Sequence, residues 1–207
     1  MVLVPNLACE HHEPPGWDAG VGSLSAVPLP EVADAGGGGG NDSAHPGETD
    51  APTVDPGTLP QTRERPKTNT SAFEARAHAL WDAIVADDPD LASTAFFPRS
   101  AYAQVKAIPS PDVDWRVRLV GNFNRDIHNL HGHLGSHASE ARFTELDVAT
   151  ERGRWVEPNE ETNKVGYWRV YGSKIRYEVG NRAASFDVSS LISWRGEWYV
   201  VHLSGFK

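Results

Sequence analysis

In the stretch 71–88, SAFEARAHALWDAIVADD, apolar side chains recur every three or four residues. Phe73, Ala77, Leu80, Trp81 and Ile84 therefore share one face of a helix. A second helical piece is predicted over PDLASTAFF, with Asp88 as N-cap and Pro89 at the first helical position. SAYAQVKA adds another turn or two. The longest helix opens at SPDVDW, with Ser110 as cap before Pro111. From Trp115 onward Leu119, Phe123, Ile127, Leu130 and Leu134 make a sustained helical stripe, which weakens at Gly132 and Gly135.

After Gly135 the period changes to two. ARFTELDV and GRWVEP read as strands, and four further strands are predicted, joined by two-residue turns at Gly172-Ser173, Gly180-Asn181 and Arg195-Gly196. Tight hairpins at all three would set Tyr171 opposite Lys174, Val179 opposite Arg182 and Trp194 opposite Glu197. That register gathers Trp168, Val170, Ile175, Tyr177, Phe186, Val188, Ile192, Tyr199, Val201 and Leu203 on a core face. Tyr167, Arg169, Lys174, Arg176, Glu178, Ser185, Asp187, Ser189, Trp198 and His202 take the other face. One strand, 183–194, crosses two hairpins, so a bulge is expected in it. Helices followed by a meander give an α+β domain, N-terminal helices packed on a bent antiparallel sheet.

Composition adds an N-terminal tail to this picture. The net charge is −9, yet residues 1–71 alone hold ten acidic and three basic side chains. Residues 10–71 contain GGGGG, nine of the fifteen prolines and one aromatic residue, Trp17, which is too little apolar surface to offset the entropy of ordering. An acidic, disordered Gly/Pro-rich linker over 10–71 and a folded domain over 72–207 are the expectation. The nearly neutral domain behind an acidic tail gives no electrostatic reason to expect nucleic acid as partner. No run approaches the ~18 apolar residues of a membrane-spanning helix.

The sole cysteine lies in NLACEHH. Leu7-Ala8-Cys9 resembles the lipid-modified box of bacterial lipoproteins, which makes residues 1–9 a truncated signal remnant. That resemblance implies an extracytoplasmic, cell-envelope location, with Cys9 as lipid attachment and the membrane reached only through it. The alternative is an incidental free cysteine. The order of elements over 72–207, closing on LISWRGEWYVVHL, resembles the cone-shaped nuclear-transport-factor-2-like superfamily, which includes ketosteroid isomerase and SnoaL-like polyketide cyclases. The domain also looks like uncharacterised bacterial lipoproteins.

Candidate chemistry is sparse. DIHNLHGHLGSH holds four of nine histidines, but only His128 and His131 could converge on a metal, and no carboxylate sits a turn away on the helix. Helix-end histidines with no metal and no cofactor are the expectation, a site at His128 and His131 the alternative. Arg169 and Arg176, expected directly across from each other, mark either a solvated face balanced by Glu178 and Asp187 or a patch for a small anionic ligand or a protein. His202 is expected opposite Ser189 with Asp187 two residues along. No Gly-x-Ser-x-Gly elbow accompanies them, which argues against a nucleophilic triad. An Asp187–His202 acid–base pair in a pocket stays open, and the SnoaL resemblance implies the same type of pair. Glu157, Glu160 and Glu161 lack the EF-hand spacing for calcium. Two functions follow: a tethered binding or interaction domain without chemistry, or a small pocket enzyme.

Overall fold

The computed structural model describes residues 61–203. Cys9 and the expected linker up to residue 60 lie outside the described residues.

Helix α1 (Ser71–Ala86) starts where Thr70 Oγ1 accepts the Phe73 amide at 3.1 Å, with Glu74 in the first turn. It stops at Asp87, whose left-handed backbone returns its N–H to the Ala83 carbonyl. All five expected apolar residues of this helix are buried. The helical piece expected after Asp88 is a single 3-10 turn, Pro89–Ala92. Pro98 disfavours helical backbone at Phe97, and residues 95–97 instead run parallel to the last strand. There the Phe97 amide donates to the Val200 carbonyl at 3.0 Å, and the Val200 amide to that of Ala95 at 2.9 Å.

Helix α2 (Arg99–Val105) is followed by a helical rod in three parts: α3 (Pro111–Asp114), a π-helical stretch (Trp115–Val120) and α4 (Gly121–Leu134). The apolar stripe survives the change of pitch, since Leu119, Phe123, Ile127 and Leu134 are buried. No helix among the described residues is long and apolar enough to cross a membrane.

Five antiparallel strands follow: β1 (Ala141–Asp147), β2 (Arg154–Val156), β3 (Tyr167–Val179), β4 (Arg182–Trp194) and β5 (Glu197–His202). The order is β1-β3-β4-β5, with β2 sharing the β3 edge beyond β1. The helices pack on one face of this curled sheet, where Trp81 meets Tyr177 at 5.2 Å and Phe96 meets Phe123 at 4.4 Å.

The register departs from expectation in two places. Gly172-Ser173 is not a hairpin: β3 runs straight through it and pairs with β4 from Val179–Arg182 to Arg169–Ile192 without a shift. Gly172 takes φ 73°, a backbone only glycine adopts readily, and the strand does not reverse there. Because side chains alternate, removing the turn exchanges the faces of everything before it. Tyr167 and Arg169 therefore face the helices, whereas Trp168 and Val170 lie on the outer face.

The second departure is the bulge, which is real but falls between β4 and β5. Leu191 pairs with Val200 and Ser190 with His202, leaving Val201 as the extra residue.

Order also begins earlier than residue 71. Segment 61–70 crosses the outer face of the sheet as a strap. Gln61 donates to the carbonyls of Gly166 and Ser193, each at 3.2 Å, and accepts the Arg195 amide at 2.6 Å. The Arg63 carbonyl accepts the Trp168 indole N–H at 3.0 Å, and the Pro66 carbonyl that of Trp198 at 3.1 Å. Arg65 stacks on Trp168 at 4.5 Å. Trp198 is on the outer face as expected, but the strap buries it.

Candidate functional site

A cavity of about 240 Å³ lies between the sheet and the segment from α2 through the π-helical stretch. Three features of the chain make it. The uninterrupted β3 turns Tyr167, Arg169 and Tyr171 inward, opposite Ile192 and Ser190 of β4. The β5 bulge lets both Val201 and His202 reach the same space. The π-helical stretch supplies Arg118 and Leu119, and π turns inside helices recur at functional sites. Phe97, Tyr102, Val105 and Lys106 complete the helical wall.

Glu161 enters from loop 157–166, which buried Asn163 organises. Its side-chain amide donates to the carbonyls of Glu157 (2.9 Å) and Val165 (3.0 Å), and its oxygen accepts the Glu161 amide at 2.8 Å. The loop is stitched to the end of α2 by the Lys164 amide on the Val105 carbonyl and the Ala107 amide on that of Thr162.

The charges in the wall are arranged in closed groups, with one exception. Arg118 grips Asp114 through Nε at 2.8 Å and Nη2 at 2.6 Å, and also donates to the Tyr102 hydroxyl at 2.9 Å. The Tyr102 hydroxyl donates to Asp114, and burial followed by that contact pushes its pKa up. Arg118 holds the Asp114 carboxyl below the usual carboxylate range. Glu161 accepts from Arg169, from Arg154 at 3.2 Å and from the Tyr167 hydroxyl at 3.1 Å. Burial pushes the Tyr167 phenol up to about 12, so it is a neutral donor at pH 7.

Lys106 is the exception. Its ammonium reaches the Glu161 backbone carbonyl at 3.4 Å, and no carboxylate among the described residues forms a salt bridge with it. Burial and the neighbouring Arg118 lower its pKa, and Asp114 pulls partly back.

His202 is half-buried at the cavity wall. Burial holds its pKa below the ordinary 6.5, Arg118 and Lys106 push the same way, and Asp126 pulls partly back. Asp126 is itself buried on α4. Sequence reasoning missed this carboxylate, although it was visible as an acid seven residues beyond Leu119 on the apolar stripe.

The expected site residues are dispersed. Arg169 and Arg176 do not face each other: they lie seven residues apart on one strand and on opposite faces. Arg169 is 17 % exposed in the cavity with Glu161, and Arg176 is 46 % exposed with Asp147 and Glu145. Asp187 stands on the outer face against Lys174 at 2.6 Å, so it cannot pair with His202 inside. Ser189 is likewise not the residue across from His202; Ser190 is.

His128 and His131 are drawn to the end of α1 separately. One meets the Asp87 carboxylate at 2.6 Å and the other the Ile84 carbonyl at 3.0 Å. Among the described residues no group of three or more His, Cys, Asp or Glu is placed to hold a metal ion. Glu157, Glu160 and Glu161 are each taken up by arginines: Arg63, Arg154 and Arg169.

Compared with protein-family models, curated proteins and solved structures, the chain matches none. Its site is read from its own chemistry.

Proposed function

We propose that residues 61–203 form a small-molecule binding domain whose ligand occupies the cavity under α2 and the π-helical stretch. The observation that carries this reading is a concave space with an aromatic and aliphatic wall into which Lys106, Ser190 and His202 converge, beside Arg118, Arg169 and Glu161, which are held in ion pairs. A dry cavity of ~150 Å³ accepts benzene, so about 240 Å³ suits a single substituted ring. In this reading the curled sheet and its helices form the cone of the nuclear-transport-factor-2-like outline. The domain is tethered outside the cytoplasm behind a lipid on Cys9, which Leu7-Ala8-Cys9 supports.

The test is ligand-observed NMR on the full chain with small ring compounds, repeated on Ser190→Leu, which fills the cavity. Saturable binding to the wild type that is lost in Ser190→Leu is the expected result. No binding by the wild type, or equal binding by both, would refute it.

A second reading is a small pocket enzyme, favoured by one observation: a neutral imidazole at the cavity with a buried carboxylate, Asp126, near it. This is the acid–base arrangement sought with Asp187, built from a different acid. A compound that binds and is then converted by wild type but not by His202→Gln would establish it over simple binding.

A further inference from the structure

The charges around the cavity can be balanced one against another. Arg118 is matched by Asp114 and Arg169 by Glu161, while Lys106 forms no salt bridge with any carboxylate among the described residues and feels Asp114, already held by Arg118, only at longer range. An ammonium half out of water with one long carbonyl contact is destabilising unless something anionic joins it.

The way the arginines are matched narrows the anion. Arg118 presents Nε and Nη2 to Asp114, which closes its fork to a phosphate, and Arg169 gives Nη1 to Glu161 while its guanidinium stacks on Tyr171 at 4.5 Å, so both charges are already matched. What is left is a single point charge. Around it stand aromatic rings (Phe97, Tyr102, Tyr167) and the aliphatic Leu119 and Ile192. Ser190 and His202 supply hydrogen-bonding partners on the sheet side of the cavity.

Resting on the binding reading above, we infer that the cavity takes a compact monoanion, one ring bearing a single carboxylate, with the carboxylate at Lys106. The ring lies against the aromatic wall, and a hydroxyl or keto substituent on it would meet Ser190 or His202. The same arrangement disfavours dianions, since only one positive charge is uncompensated. It also disfavours neutral rings, which would leave the ammonium bare.

The experiment is calorimetric titration of the full chain with benzoate, its neutral isostere benzamide, and inorganic phosphate. Wild type should bind benzoate at least about tenfold tighter than either of the others, because leaving a half-buried charge unpaired is costly. Lys106→Met should remove the preference for benzoate over benzamide, and Lys106→Arg should keep most of it. Ligand-free Lys106→Met should also melt higher than wild type, as expected when an unpaired charge serves binding and not stability.

Benzamide binding as tightly as benzoate, or benzoate binding undiminished in Lys106→Met, would overturn the anion assignment and leave the cavity reading standing. Phosphate preferred over benzoate would overturn the monoanion class. Absence of all three from the wild-type cavity would overturn both. If Lys106→Met does not fold, the benzoate-to-benzamide ratio on wild type decides alone.

Discussion

His202 carries a cost that depends on pH. Its folded pKa lies below 6.5, chiefly through burial, so the unfolded chain takes up its proton first as the solution is acidified. The stability associated with the neutral ring is complete above about pH 7 and falls as pH drops through 6.5, levelling off below the folded pKa. Urea unfolding at pH 8, 7, 6 and 5 should show a steeper loss for wild type than for His202→Gln, the other groups being common to both. Equal slopes would mean that the ring is not held neutral by the fold. Asp126 was legible in principle, because seven residues return nearly to the same helical angle and place it beside Leu119 on the buried stripe. His202 was not. Its direction depends on one extra residue in β5, and nothing in EWYVVH announces where a bulge falls.

At the level of elements, the helices were readable because burying an apolar stripe needs no partner register. The sheet needed one. Gly172-Ser173 has the chemistry of a type II′ turn, and glycine's positive φ is used in either outcome; here it sits inside an unbroken strand of 13 residues. The misplaced turn moved Arg169 to the wrong face and concealed the cavity. Gly172→Ala should cost about 1–2 kcal/mol by chemical denaturation, the penalty of left-handed backbone for a residue with a Cβ. An exposed hairpin tip would behave similarly, so the sharper check is amide exchange across Tyr171–Ser190, which should be protected. Asn163→Ala should cost more, about 2–3 kcal/mol, because three hydrogen bonds of the buried Asn163 side chain hold loop 157–166 in shape. It should weaken ligand binding as well, since Glu161 and its arginines follow the loop.

For the whole molecule, the boundary expected at residue 72 omits a strap that the sheet uses as a cover. Composition makes 61–70 look like the rest of the linker: polar, with one proline and no aromatic residue. What orders it is the outer face of the sheet, where Trp155, Trp168 and Trp198 meet arginines and backbone carbonyls from the strap. A fragment of residues 72–207 should therefore be less stable than one of 61–207 by about 2–4 kcal/mol, from Trp198 newly wetted and its indole bond lost. Trp fluorescence should shift to the red in the shorter fragment. Equal melting temperatures and spectra would show the strap to be ornamental.

The strap also fixes how the domain would respond to mechanical load. Tension arriving along the chain from residues before Gln61 enters at the Gln61 clasp on Gly166, Ser193 and Arg195, and reaches the tryptophan contacts next. These contacts can rupture one after another, like a zipper, without breaking a strand pair. Pulling would lengthen the molecule by some ten residues before α1 felt the force. The cavity, on the other side of the sheet, would keep its shape while the slack was taken up.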